Sequence, residues 1–353
     1  PCSLSEVLQY GVLGIEMSRY SGCWIGLKTT SDNMDSAESI DLSSPQYFPP
    51  KPVRENVHAR SGEFKLVEAE RRLHKIKLPL VQDFWRENGN DGVIFGSSGS
   101  ETIRLGIVGV GKTCVDVRKA LKRLGLESEN DATRRGISIF KVGMSYPLEP
   151  KNIGAWASAC EKILIVEEKR SLVELQLKNV MYSHKSNTEI LGKCDEHGAS
   201  LLSEFGQLNA SSIASAIQRV FPQLSETKSA IATTIKDTDK NVPQRTPFFC
   251  AGCPHNLSTK LPTSAVAMAG IGCHTLAMNL ETSKTMMYTH MGAEGAHWIG
   301  MNHFVRSKKK KEDPHVFINL GDGTYTHSGL LSIRQAVSSE RNAVKEGRAV
   351  PNM

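Results

Sequence analysis

The 353-residue chain has no apolar run long enough to cross a bilayer and no basic-then-apolar stretch of the kind that directs secretion. The expectation is a soluble, cytoplasmic protein with no membrane contact. Aromatic residues are scarce, at 6 %. None is interleaved with the one lysine run, residues 308–311, which Glu312 and Asp313 follow at once. With a net charge of only +6 over this length, that run reads as a solvated loop, and no nucleic-acid partner is expected. Eight cysteines without a secretion signal exclude a disulfide framework. Five of them, Cys2, Cys23, Cys114, Cys160 and Cys194, are scattered and read as ordinary thiols, which leaves Cys250, Cys253 and Cys273 as the one cluster. The length suits two or three domains. Because the chain starts at Pro1 and residues 349–353 close no recognisable element, an internal segment of a longer protein is expected.

Residues 106–113, GIVGVGKT, satisfy the phosphate-binding pattern GxxxxGKT in full. Such a loop works by turning backbone N–H groups inward around a phosphate. Here its interior holds Ile107, Val108 and Val110, β-branched residues that favour extended backbone. Residues 107–110 therefore read as a strand, with Gly111, Lys112 and Thr113 as a tight strand-to-helix turn.

The surrounding block alternates strands and helices. Residues 104–110, 137–142 and 163–167 read as strands, and residues 115–124, 152–161 and 172–180 as helices. That order predicts a parallel, helix-covered sheet. Upstream lie a helix over residues 6–20, a loop over residues 29–52 where four prolines oppose regular structure, and a charged helical stretch over residues 63–85. A polar stretch over residues 225–246 reads as a linker.

The last block carries the chemistry. Cys250 and Cys253, two residues apart on a turn, can reach one metal or one cluster face, and Cys273 adds a third thiol beside Gly270 and Gly272. With His255 or His274 as a fourth ligand the set also suits zinc. In HVFINLGDGTYTHSGLLSIRQAV, residues 316–320 read as a buried strand, Gly321, Asp322 and Gly323 as a turn, and Leu330, Ile333 and Val337 as one face of the next helix. Glycines on both sides of a carboxylate at a strand's end allow close approach to a phosphate, with Asp322 holding Mg²⁺ that bridges it. The same three letters also occur in hairpin turns.

Taken together and in order, these stretches resemble the fused indolepyruvate ferredoxin oxidoreductase family, one of the thiamine diphosphate-dependent 2-oxoacid:ferredoxin oxidoreductases. The resemblance is carried by SRYSGCWIGLK (18–28), KVGMSYPLEP (141–150), ILIVEEKRSLVELQLK (163–178), FFCAGCPHNLSTK (248–260), GIGCH (270–274), THMGAEGAHWIG (289–300) and NLGDGTYTHSGLLSIR (319–334). It implies an α/β fold: a transketolase-C-terminal-like parallel-sheet domain followed by a partial thiamine diphosphate-binding α/β domain. The implied boundaries are 1–48 for the tail of a pyrimidine-binding domain and linker, 49–224, a 225–246 linker, and 247–353. In that setting the GxxxxGKT match is accidental.

The resemblance further implies that Gly321, Asp322 and Gly323, with Thr324 and Tyr325, bind the diphosphate of thiamine diphosphate through Mg²⁺ at Asp322. Met291, Gly292, Glu294 and His274 contact cofactor or substrate, with His255 near the same pocket. Cys250, Cys253 and Cys273 become ligands of a [4Fe-4S] cluster. The implied reaction is oxidative decarboxylation of an aryl pyruvate to an acyl-CoA, with coenzyme A as acceptor and electrons passing through iron–sulfur clusters to ferredoxin, in a homodimer. No activating glutamate is assignable, nor a fourth cluster cysteine. The second magnesium ligand is not carried over to Asn352, and the segment by itself is not expected to turn over. The competing expectation is a truncated, non-catalytic α/β module with a structural metal site.

Overall fold

A computed structural model describes residues 1–40, 57, 66–97, 102–184, 187–226, 247–280, 283–306 and 315–347. Two compact units divide the chain, Pro1–Asp237 and Thr238–Met353.

The first unit is built on five strands: β1 (Gly92–Gly96), β2 (Ile103–Val110), β3 (Ile137–Val142), β4 (Cys160–Val166) and β5 (Glu189–Leu191). Their order is β1-β3-β2-β4-β5, parallel throughout except for antiparallel β1 at the edge. Strands buried on both faces read as near-continuous apolar runs, as residues 105–110 of β2 and 163–166 of β4 do, while β3 is buried throughout. Its helices include α1 (Leu4–Ser21), α2 (Leu78–Asn88), α3 (Thr113–Arg123), α4 (Pro150–Ser158), α5 (Val173–Ser183) and α6 (Ala210–Val220). On one face Leu105, Ile107, Ile139 and Leu164 meet Val117 and Leu121 of α3 and Ile213 and Ile217 of α6. On the other, Val108, Phe140, Ile163 and Ile165 meet Ile153 and Trp156 of α4 and Leu177 of α5. Each such side chain, wholly buried, contributes about 1.5–3 kcal/mol. A third cluster joins Tyr10, Leu13 and Met17 of α1 to Leu80, Val81, Phe84 and Trp85 of α2, so the N-terminal helix belongs to this unit's core.

The GxxxxGKT stretch takes its shape from packing. Residues 106–110 pair with β3 and β4 as a central strand. A Cβ on Gly106 would lie 2.7 Å from the Trp156 ring, one on Gly109 2.8 Å from Cys114 Sγ, and Gly111 sits at φ +58°. Thr113 is fully buried, accepting from the Val110 N–H at 2.9 Å and donating to the Val166 carbonyl at 2.5 Å. Lys112 Nζ is held by Asp116 at 2.8 Å and the Leu208 carbonyl at 3.1 Å. All the features that mimic a phosphate loop are consumed by the fold.

The expected strands and helices appear with shifted ends. The helix expected over residues 152–161 stops at Ser158 because Cys160 already pairs with Ile103. The loop expected over residues 29–52 contains a helical turn at Ser31–Met34, and its residues 41–52 lie outside the described residues. Most of the expected linker, residues 227–246, does so too, as does the lysine run at 308–311.

The second unit holds a three-stranded parallel sheet, β6 (Val266–Ala269), β7 (Thr285–Tyr288) and β8 (Val316–Ile318), in the order β7-β6-β8. Its helices include α7 (Ala296–Arg306) and α8 (Leu330–Lys345). Met268, Trp298 and Val316 form its small core. The face of α8 expected to be buried is mostly uncovered: Leu330 is 48 % and Val337 41 % exposed, and the helix buries Ser332 and Ala343 instead.

Candidate functional site

In a parallel sheet every strand ends at the same edge, and ligands of open α/β sheets bind there. The sequence-assigned stretches follow the three strand ends of the second unit. Residues 270–274 come after β6, residues 289–295 after β7, and residues 319–325 after β8. The three connections touch. The Asn319 N–H donates to the Met268 carbonyl at 3.1 Å, and a Cβ on Gly270 would lie 2.6 Å from the Asn319 carbonyl oxygen and 3.1 Å from His274 Nδ1. A Cβ on Gly292, at φ +96°, would lie 2.5 Å from Ser328 Oγ, and one on Gly295 3.0 Å from Ile318. Glycine is required at 292 on both counts, left-handed backbone and lack of room.

The residues Gly321, Asp322 and Gly323 do not form a free-standing turn. Asp322 opens a helical run that continues through Tyr325–Gly329 into α8, with Gly321 at the cap position. No side chain accepts from the first N–H groups of this helix. They and the helix dipole suit an anion, and an acid in the first turn is favourable in its own right. Asp322 and Gly323 are exposed, Thr324 is buried, and Tyr325 is 54 % exposed.

Glu294, only 2 % exposed, turns its Oε2 back to accept the Gly292 N–H at 2.7 Å. Met291 stands 51 % exposed beside it. His274 faces the ring of His255, centroids 4.9 Å apart, and His255 in turn faces Phe249 at 5.7 Å. That contact brings the Cys250–Cys253 turn, closed by a 3.0 Å backbone bond, up to the residues around Cys273. Burial, and then the neighbouring His255, hold His274 below the ordinary histidine range. A base with a lowered folded pKa favours the fold while neutral, so this contribution is lost as pH falls through the histidine range.

Among the described residues no group of three or more His, Cys, Asp or Glu side chains is arranged to hold a metal ion. The ring contact of His255 with His274 keeps the two cysteine segments adjacent, with Cys250 and Cys273 exposed, Cys253 half-buried and all three thiols free.

The diphosphate end fares better. The helix start at Gly321 and Asp322 is uncapped, and the loops beside it leave buried polar atoms unpartnered, among them Glu294 Oε1 and Asn319 Nδ2. Of these, the helix start and the Asn319 Nδ2 donor suit an anion, whereas Glu294 Oε1 is an acceptor. Sequence reasoning missed Asn319 and His297. Both sit inside the quoted stretches, NLGDG and GAHWIG, where neighbouring residues drew the assignment.

Comparison with known proteins bears on the whole chain. Residues 96–243 match the family model described as the indolepyruvate oxidoreductase domain. The indolepyruvate oxidoreductase subunit IorA of Pyrococcus abyssi is 24 % identical over 98 % of this chain and 53 % of its own length. That of Thermococcus kodakarensis is 26 % identical over 78 % of this chain and 42 % of its own length. This chain is similar to those subunits over nearly its whole length. It spans about half the length of the curated relatives it matches. Among solved structures, a 2-oxoglutarate:ferredoxin oxidoreductase from Magnetococcus marinus aligns with 48 % of this chain and 25 % of its own at 15 % identity, with a TM-score of 0.30, a likeness too small to carry an argument. The similarity thus rests on sequence, and the α/β architecture on the two parallel sheets themselves. No described helix is long and apolar enough to cross a membrane.

Proposed function

We propose that the second unit contributes the diphosphate- and magnesium-binding half of a thiamine diphosphate site in an enzyme that oxidatively decarboxylates an aryl 2-oxo acid of the indolepyruvate type. The observation that carries this reading is the meeting of three glycine-containing connections at the carboxyl ends of β6, β7 and β8, beside an uncapped helix start led by Asp322.

In this reading Gly321 and Gly323 admit the phosphates to the backbone N–H groups of the helix start, and the Asp322 carboxylate holds Mg²⁺ against them. Thr324 and Tyr325 flank the phosphates. Met291 and Gly292 lie over the bound cofactor, and Glu294 fixes their turn through the Gly292 N–H. His274, neutral at physiological pH because burial disfavours its charged form, lines the pocket without adding positive charge. The chemistry the cofactor supplies when bound is decarboxylation of a 2-oxo acid with retention of the electron pair for later transfer. Coenzyme A as acyl acceptor, ferredoxin as electron acceptor, a homodimer and a cytoplasmic setting belong to the same reading, supported by the ferredoxin-oxidoreductase resemblance of the sequence. Electron transfer is assigned to no residue of this chain.

Equilibrium binding to the chain of thiamine diphosphate and of thiamine tests this reading. The diphosphate is expected to bind at least tenfold more tightly, since the site is built for the phosphates. Equal affinity, or none for either, overturns it.

A further inference from the structure

Resting on the thiamine diphosphate reading, we infer that Glu294 is the acceptor for a ligand N–H group at this site, in addition to holding its own loop. In this unit six buried side-chain atoms among the described residues have no hydrogen-bond partner: Glu294 Oε1, both ring nitrogens of His297, Trp298 Nε1, Asn302 Oδ1 and Asn319 Nδ2. Native proteins pair nearly all such atoms. Here they fall within residues 294–319, on the segment after β7 and at the end of β8, rather than being scattered through the unit.

Glu294 is the most telling of them. Its two oxygens are unequal: Oε2 accepts the Gly292 N–H at 2.7 Å, and Oε1 meets nothing although the residue is 2 % exposed. The same loop lies against Ser328 through Gly292 and against Ile318 through Gly295, so the loop that carries the free oxygen sits at the sheet edge of Gly321 and Asp322. An acceptor-only oxygen next to a phosphate site is of no use to the phosphates. It suits the other end of the ligand, the end that bears N–H donors. Oε1 is out of solvent contact, so the turn carrying the half-exposed Met291 must lift to admit the donor.

Two ligands of the proposed reaction carry that chemistry: the amino group on the pyrimidine ring of the cofactor, and the ring N–H of an indole 2-oxo acid. Glu294→Gln separates the roles, because its amide oxygen still accepts from Gly292 while an NH₂ donor replaces the free acceptor. Titration calorimetry on the full chain with Mg²⁺ compares thiamine diphosphate, inorganic pyrophosphate and, with the cofactor present, indole-3-lactate as a redox-inert probe. In Glu294→Gln, affinity is expected to fall about tenfold or more for thiamine diphosphate if the amino group is the donor, or for indole-3-lactate alone if the indole is, and to stay unchanged for pyrophosphate. Equal affinities in variant and unsubstituted chain for all three probes overturn the inference, and so does an equal loss for all three. Failure of the unsubstituted chain to bind either diphosphate overturns the reading beneath it. Hydrogen exchange of the unsubstituted chain gives a test that no folding defect can obscure: the N–H-bearing ligand is expected to protect residues 289–295 at least threefold more than pyrophosphate does, and equal protection contradicts the inference.

Discussion

Replacing Gly292 by alanine tests whether the loop after β7 is locked onto the helix that follows Asp322. Two costs arise. At φ +96° an L-residue pays about 1–2 kcal/mol for left-handed backbone. The new methyl also meets Ser328, 2.5 Å from Oγ and 2.8 Å from Cβ, an overpacking of the kind that costs about 1–3 kcal/mol. Rotation of the hydroxyl relieves the first contact but not the second. Gly272→Ala supplies the control, since Gly272 has φ +97° and open space where its Cβ would be. The backbone cost cancels between the two variants, leaving about 1–3 kcal/mol against Gly292→Ala, or roughly a 5- to 150-fold difference in exchange protection. Hydrogen exchange of β6 and β8, read by mass spectrometry, measures it. Equal loss of protection in both variants refutes the contact between the two connections, and with it the closed geometry of the site.

Lys112→Ala is expected to destabilise the first unit by about 1–3 kcal/mol, through loss of the Asp116 and Leu208 interactions, with no ATP binding expected in either the variant or the unsubstituted chain; detectable ATP binding that the substitution abolishes contradicts the strand assignment. Burial pushes the Asp91 carboxyl up to about 6 from an ordinary 3.8. The folded chain therefore binds the extra proton between those values, stability falls as pH rises through that window, and the full cost stands above pH 6. Asp91→Asn, which keeps an oxygen for the Gly143 N–H, is expected to raise stability at pH 7.5 by about 2–3 kcal/mol and to flatten the pH 4–6 slope in urea unfolding; an unchanged slope refutes it.

Much of the first unit was legible because its strands are apolar on both faces. Ile107 and Ile163 stand in apolar stretches, 107–110 and 163–166, of the kind a buried parallel strand carries, and Ile139 is buried in a strand with no exposed position. The edge strands β1 and β5, of five and three residues, escaped because they are short. Helix α6 was within reach: Asn209 and Ser212 form a capping box ahead of Ile213, Ile217 and Val220. In the second unit, family resemblance rather than periodicity carried the reading. Strands β6 and β7 have four residues each, too few for a period, and α8 shows an apolar stripe whose burial the unit does not provide. Backbone geometry was legible where glycines permit close approach, at 270 and 292. Site chemistry was not legible where pairing depends on three dimensions. Two cysteines separated by a turn and a third by a strand predict a shared ligand; the fold joins their segments through His255 and His274, and among the described residues no metal-holding group of three forms. Asn319 and the free oxygen of Glu294 become visible only once each polar atom is given its partners.

The central claim is that Asp322 and the helix start bind a magnesium diphosphate. Titration calorimetry of thiamine diphosphate, with and without Mg²⁺, on the unsubstituted chain and on Asp322→Asn measures this directly. The account predicts binding that requires Mg²⁺ and weakens at least tenfold in Asp322→Asn, with β6 and β8 equally protected from exchange in both proteins. Binding indifferent to Mg²⁺ and to Asp322, or no binding by the unsubstituted chain, contradicts it.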